Sequence, residues 1–456
     1  MEKINNKLLK YQVQHTENLV RLIKDNKACL DASDTGTGKT YCAVAACYIL
    51  KLAPIIICPK SIISTWKKVC EYFDVKPEII INYESLRTGN NYDKMKKIDN
   101  NIDTNVKDKD NIKKFNYIFE ETPGTIFIFD EAHRCSNLDT ENSALLFAAK
   151  KTSIPILILS ATIADFPEKF KPFFYILNFI DQQHSANITE KKYMRIVDEW
   201  IFRDKKPMIR IHNMLYPKRA SRMRIDVLGD LFPQTQITAT PYTLDKKRSE
   251  EIELEYKRLK LELEEIKSKK LQDKKNPLTS VLRSHQRIEI LKIPIFIEMC
   301  NDFRHNNYSV VIFVNFTKTL EIMCDMLHTT SKVYGLQTQE ERLKIIEDFQ
   351  NNKTNVIVCN IKAGGIGISL HDIYGGHPRV SLISPTWSSI DLVQALGRIH
   401  RAGGKTKSLQ RIIYTADTVE DKIADKLQHK LLNINSINNG DLDLTNIDFE
   451  NERKKI

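Results

Sequence analysis

The chain has 456 residues, room for about three domain-sized units. An apolar share of 42% excludes a disordered chain, and 15 glycines with 15 prolines exclude a fibrous or linker-dominated one. Lys and Arg exceed Asp and Glu by 69 − 58 = 11, an excess that favours a polyanionic partner, nucleic acid before an anionic membrane.

In chain order, Ala28-Cys29-Leu30 reads as a strand, followed by a loop (33–40) and a helical run (41–50). Continuous apolar runs at 55–58, 79–81, 125–129 and 156–159 read as parallel strands covered on both faces. Residues 99–114 are polar and read as a surface insertion. Residues 245–275 are dense in both charges, with Leu259, Leu263 and Ile266 at helical spacing, which predicts a solvated helix or helical hairpin. Strand texture returns at 310–314, 356–359 and 380–383, and the Asn- and Asp-rich tail after Asn433 is expected to fray. The fold class is therefore α/β, with two blocks built on parallel sheets. The nine cysteines form no C-x-x-C pair, so neither a zinc site nor a disulfide framework is expected, and the setting reads as reducing and intracellular. The longest apolar region, residues 43–58, is broken by Lys51 and Pro54; a soluble protein with no membrane association is expected.

Two motifs carry chemistry. Ser33-Asp34-Thr35-Gly36-Thr37-Gly38-Lys39-Thr40 stands between strand and helix, the context of a phosphate-binding loop. Gly36 and Gly38 let backbone N–H groups turn toward phosphate oxygens, Lys39 pairs with the terminal phosphates, and Thr40 is a ligand for Mg²⁺. Asp34, Thr35 and Thr37 complete the cradle, while Ser33 stands where the strict pattern has Gly. Asp130-Glu131-Ala132-His133 directly follows a strand. Two carboxylates there are costly unless a cation pairs them, and Mg²⁺ carried with ATP does so. Asp130 is the metal candidate, Glu131 polarises the attacking water, and His133 couples the pair to the next motif. The bland alternatives, a tight turn and an acidic helix start, lose ground because both motifs share one block.

With these residues the chain resembles superfamily 2 helicases and translocases, and within them the Swi/Snf-like DNA-dependent ATPases. Leu9-Lys10-Tyr11-Gln12 is similar to the segment that reads adenine, with Gln12 the contact. Cys58-Pro59-Lys60-Ser61 with Trp66, and Asn82-Tyr83-Glu84-Ser85, resemble two strand-end motifs. Asp130 to Arg134 with Asn137 matches the D-E-A-H-R-x-x-N form, and Ser160-Ala161-Thr162 occupies motif III. Ala363-Gly364-Gly365-Ile366-Gly367 resembles motif V, and Gln394 to Arg401 resembles motif VI. The resemblance implies two tandem RecA-like domains with parallel sheets. Lobe 1 is expected at 1–180, a linker with a helical charged insertion at 181–290, lobe 2 at 291–435, and a flexible tail at 436–456.

It also implies ATP and Mg²⁺ as cofactors, with Gly367 at the nucleotide and Ser160, Thr162 and Gln394 coupling the motifs. Arg398 and Arg401 become arginine fingers, since phosphoryl transfer builds charge that a guanidinium stabilises. Placing them on the second block makes hydrolysis depend on closure of the lobes. Nucleic-acid contacts are expected from Lys60, Ser61, Tyr83, Asn315, Lys362, Ser384 and Trp387, with phosphate contacts added by Lys218, Arg219, Arg222 and Arg224. DNA is favoured over RNA as the partner; protein partners are unknown. Two departures leave duplex translocation and strand separation both open: Ser-Ala-Thr in motif III, and Gly403-Gly404 after motif VI. A binding scaffold with a dead nucleotide site is disfavoured because Lys39, Asp130, Glu131 and Arg401 occur together. The abundance of Asn, Lys and Ile fits an AT-rich genome, such as a large DNA virus or a protist, and so a nuclear setting or a viral factory or virion.

Overall fold

The computed structural model describes residues 4, 6–98, 116–179, 195–200, 203–228, 232–243, 245–268, 277–364, 368–416, 419–439, 447–449 and 454–455. The chain divides into two compact units, residues 1–229 with 432–444, and 230–431 with 445–456. The stretch 181–290 is thus shared between them, whereas the sequence reading set it apart as one linker.

The first unit runs α1 (Lys10–Asn26), β1 (Ala28–Asp31), α2 (Lys39–Leu50), β2 (Ala53–Cys58), α3 (Ile63–Tyr72), β3 (Ile79–Asn82), α4 (Tyr83–Arg87), β4 (Met95–Ile98), β5 (Asn116–Phe119), β6 (Thr125–Asp130), α5 (Glu141–Lys150), β7 (Ile156–Leu159) and β8 (Ala220–Ser221). Six strands form one sheet in the order β3-β2-β6-β7-β1-β8. Every pairing in it is parallel, for example Leu30 with Ile158 and Phe129 with Ile158. The β1 and β6 side chains are buried throughout, which is why their sequences are apolar runs and not alternations. Because β7 separates β1 from β6, the turns after β1, β7 and β6 lie side by side at the carboxyl end of the sheet, where open α/β sheets hold ligands. The β4–β5 hairpin brackets residues 99–115, so the expected polar insertion lies outside the described residues.

The second unit holds β9 (Thr235–Thr243), α6 (Lys246–Ser268), α7 (Pro277–Leu291), α8 (Ile293–His305), β10 (Ser309–Val314), β11 (Lys332–Val333), β12 (Val356–Asn360), β13 (Arg379–Ile383), α9 (Ser389–Leu396), β14 (Ser408–Thr415), the part of α10 (Val419–Asn439) before residue 432, β15 (Ile447–Phe449) and β16 (Lys454–Lys455). Its sheet is parallel, in the order β11-β12-β10-β13-β14-β9-β15, with β16 also on β9. The charged stretch holds one long helix, α6, the first of its two expected forms; α6 packs along α7, which lies beyond that stretch, and Arg287 bridges to Glu255 at 2.6 Å. Among the described residues of the tail, α10 continues to Asn439 and residues 447–449 and 454–455 pair with β9. No helix among the described residues is long and apolar enough to cross a membrane. The described residues also hold no cluster with the ligands of a metal-ion site, and all nine cysteines are free and buried.

Candidate nucleotide site

The loop after β1 is held from four sides. Gly36 and Gly38 take left-handed φ of 85° and 93°. A Cβ on Gly38 would stand 2.2 Å from Gln12 Nε2, so glycine is required there twice over, by conformation and by space. Tyr11 Oη and Gln12 Nε2 both donate to Thr37 O, at 3.1 and 3.0 Å, while Gln12 Oε1 accepts from Leu9 N at 3.0 Å. Gln12 is thereby fixed over the loop. Thr37 Oγ1 donates to Asp34 O at 2.8 Å. Lys39 Nζ donates to Ser33 O at 2.8 Å and Asp34 O at 3.2 Å, which parks the ammonium across the mouth of the loop. Thr35 and Thr40 are half-buried in the same turn.

Ser33, the departure from the strict pattern, has a structural use. Its Oγ accepts from Met223 N at 2.9 Å, and its N–H donates to Asp31 Oδ1 at 3.0 Å. Beneath it, His15 lies 3.0 Å from Asp31 and 3.0 Å from Ser221 Oγ, all three buried. Burial alone would raise the Asp31 pKa, but His15 and Lys39 hold it below the usual carboxylate range. The basic segment expected on phosphates is used here instead. Arg222 pairs with Asp34 at 2.5 Å, Arg219 bonds Leu177 O and Asn178 O, and Arg224 pairs with Asp226. Local sequence gave no sign of this buckle, because its partners are about 190 residues apart. A cavity of about 230 Å³ lies between α1 and residues 221–228, lined by Tyr11, Gln14, His15, Asn18 and Arg222 among others.

The acidic pair ends β6. Asp130 is buried, its Oδ1 accepting from Glu131 N at 2.9 Å and its Oδ2 from Trp66 Nε1 at 2.9 Å. Burial and the neighbouring Glu131 carboxylate push Asp130 up to about 7, against the opposing pull of Trp66 and Lys39. Glu131 adopts left-handed φ 51°, ψ 48°, a conformation uncommon for residues other than glycine. His133 Nδ1 lies 3.4 Å from Glu131 Oε2 and 3.5 Å from Ser160 Oγ, and Thr162 N donates to that same Oγ at 3.3 Å. The acidic turn and the motif after β7 are therefore in contact, as the sequence reading expects.

In the second unit, Arg398 is buried and donates to Gln394 O at 2.8 Å and Ile368 O at 3.1 Å. Arg401 donates to Gly397 O at 3.0 Å and Ser369 Oγ at 2.7 Å. Both guanidinium groups thus tie α9 and its following turn to residues 368–369. Gly367 lies outside the described residues. Of the nucleic-acid candidates, Lys60 and Lys362 are exposed and Ser61 is half-buried. Three need correction. Tyr83 is fully buried, with its Oη donating to Asp130 O at 2.8 Å, so it faces the acidic turn and not solvent. The Asn315 amide donates to Glu289 Oε1 and Pro385 O, at 2.9 and 2.8 Å, which uses both its hydrogens inside the unit. Ser384 is likewise buried, 3.4 Å from Lys292 Nζ. Trp387 is half-buried beneath Lys426, 5.3 Å from its ring centre.

Comparison with known proteins decides the family. Residues 12–170 match the DEAD/DEAH box helicase family and residues 291–403 the helicase conserved C-terminal domain. A protein of Acanthamoeba polyphaga mimivirus, named as an ATP-dependent RNA helicase, is 38% identical over 96% of this chain and 84% of its own length. The chain belongs to the superfamily 2 helicases. It is a helicase-family ATP hydrolase, built on two tandem RecA-like domains. The ISWI chromatin-remodeling complex ATPase of Saccharomyces cerevisiae is 23% identical over 94% of this chain, which spans 40% of that larger protein. Among solved structures, the Sulfolobus solfataricus SWI2/SNF2 ATPase core with double-stranded DNA shares 18% identity over 95% of this chain and 93% of that one, at a TM-score of 0.36.

Proposed function

We propose that this helicase-family ATPase is a DNA-stimulated motor that tracks along the phosphate backbone of duplex DNA. The observation that carries the reading is the placing of Lys39, Asp130, Glu131 and His133 on turns at the same end of one parallel sheet, two strands apart. Lys39 is positioned to exchange its two carbonyl partners for phosphate oxygens. Glu131 orients the attacking water, and His133 with Ser160 reports on its state. Arg398 and Arg401 supply guanidinium charge to the transferring phosphoryl group.

Asp130 and the Thr40 hydroxyl are hard oxygen donors of the kind Mg²⁺ takes alongside phosphates and water. The fit is physical: the buried Asp130 stands beside the half-buried Glu131, and a divalent cation relieves their mutual repulsion. When bound with ATP, Mg²⁺ neutralises charge on the terminal phosphates. Gln12, fixed over the loop, presents its remaining amide capacity to adenine.

Preference for DNA rests on the D-E-A-H-R-x-x-N pattern and on relatives named for chromatin remodelling and DNA repair. Ser160-Ala161-Thr162 and the mimivirus relative favour a second reading, a strand-separating helicase on DNA or RNA in viral transcription or replication. A nuclear or viral-factory location belongs to the same proposal. Parallel measurement of ATPase stimulation by double-stranded DNA, single-stranded DNA and RNA separates the substrates. Stimulation by duplex DNA with triplex displacement supports the motor; strand displacement without triplex displacement supports the second reading.

A further inference from the structure

We infer that Trp66 is a positioning residue that aims the Asp130 carboxylate at the metal–nucleotide site and links that site to nucleic acid bound at the turn 60–62. The inference rests on the ATPase reading above. Trp66 is fully buried on α3, and its indole N–H, which can only donate, meets Asp130 Oδ2 at 2.9 Å. The other oxygen, Oδ1, accepts from Glu131 N at 2.9 Å. With a donor on each oxygen the carboxylate plane cannot turn about its last torsion without breaking a charge-assisted bond in a buried site. Tyr83 adds a third restraint, its Oη donating to Asp130 O at 2.8 Å, and so fixes the backbone from which the carboxylate springs.

The donors come from telling places. α3 continues directly from the short helical turn Lys60–Ile62 at the end of β2, whose Lys60 is exposed. α4 begins with Tyr83 at the end of β3. β3, β2 and β6 are consecutive in the sheet, so the side chains reach Asp130 from the two neighbouring strand ends on one side. Phenylalanine or leucine would keep the position apolar at some cost in packing, but neither carries a donor; only a residue with a donor at this reach satisfies Oδ2. A phosphate drawn to the exposed Lys60 moves the start of α3, and the indole carries that movement to the carboxylate.

The test is binding of a fluorescent ADP analogue to the full chain, in Mg²⁺ and in EDTA, each with and without duplex DNA. The parent is expected to bind more tightly in Mg²⁺, with a further shift on adding DNA. Trp66→Phe is expected to lose on the order of tenfold of the Mg²⁺-dependent gain, the worth of one charge-assisted hydrogen bond, and to lose the DNA shift. Its affinity in EDTA and its melting temperature should stay near parental values. Should Trp66→Phe not fold, benzothienylalanine at position 66 keeps the bicyclic shape without the donor and makes the same measurement. A folded variant with the parental Mg²⁺ gain overturns the aiming role, and one that keeps the parental DNA shift overturns the link. A parent that binds no nucleotide overturns the ATPase reading itself, and this inference with it.

Discussion

Both units bury charge at the carboxyl ends of their sheets, and they do it in opposite ways. In the second unit Lys292 and Glu420 are fully buried and 2.6 Å apart; Lys292 also reaches Ser384 Oγ and Ile413 O, and Glu420 Oε2 accepts from Thr415 N and Oγ1. Opposite charges meet there, and the result is a rivet joining α7, β14 and α10. In the first unit Asp130 and Glu131 are two like carboxylates side by side, Asp130 held by Trp66 with Lys39 further off, and Glu131 3.4 Å from His133. A fold tolerates such a pair at a cost, and that cost marks where a ligand's positive charge is meant to arrive. The cluster of opposite charges serves the scaffold, and the cluster of like charges is the one proposed above to hold the metal and the attacking water.

Substitutions should separate the two clusters cleanly. The largest effect is expected from Lys39→Ala, which should remove nucleic-acid-stimulated ATP hydrolysis entirely while the melting temperature stays within a few degrees, as read by a phosphate-release assay and thermal denaturation. Arg401→Ala should follow, with hydrolysis down roughly 10³-fold and nucleotide affinity retained, the split expected of an arginine finger. Retained hydrolysis would confine Arg401 to holding Ser369. Lys292→Met should act on stability instead. Stranding Glu420 costs about 3–5 kcal/mol, seen in denaturant titration as early loss of the second unit; Lys292→Met with Glu420→Leu should recover much of it. If the single variant melts like the parent, the rivet is no rivet.

The smallest effect is acid sensitivity at His371. Burial first, then the nearby Arg401 and Arg379, hold its pKa down to about 4. The folded imidazole stays neutral while an unfolded one protonates near 6.5, so stability should fall as pH drops from about 6.5 toward 4. His371→Asn should flatten that limb of a melting-temperature profile, and an unchanged slope would assign it to other groups.

What the sequence made legible was local. The loop 33–40 and the acidic turn were readable because each is contiguous and sits between an apolar run and a helical one, and the structure puts them two strands apart on one sheet. The side-chain partners were not readable. Trp66 and Asp130 are 64 residues apart and Lys292 and Glu420 128 apart, and pairing across such distances depends on strand order, which a single sequence leaves open. The same gap explains Tyr83 and Asn315. A position just past a strand end identifies the functional edge of the sheet but not whether the side chain turns outward to a ligand or inward to a neighbour.

The account stands most directly on Glu131. Steady-state ATP hydrolysis by Glu131→Gln should be measured with saturating duplex DNA, beside the parent and with nucleotide binding confirmed in both. Turnover reduced to background with binding intact is the predicted result, whereas turnover at the parental rate would mean that the acidic pair is not where ATP is cleaved.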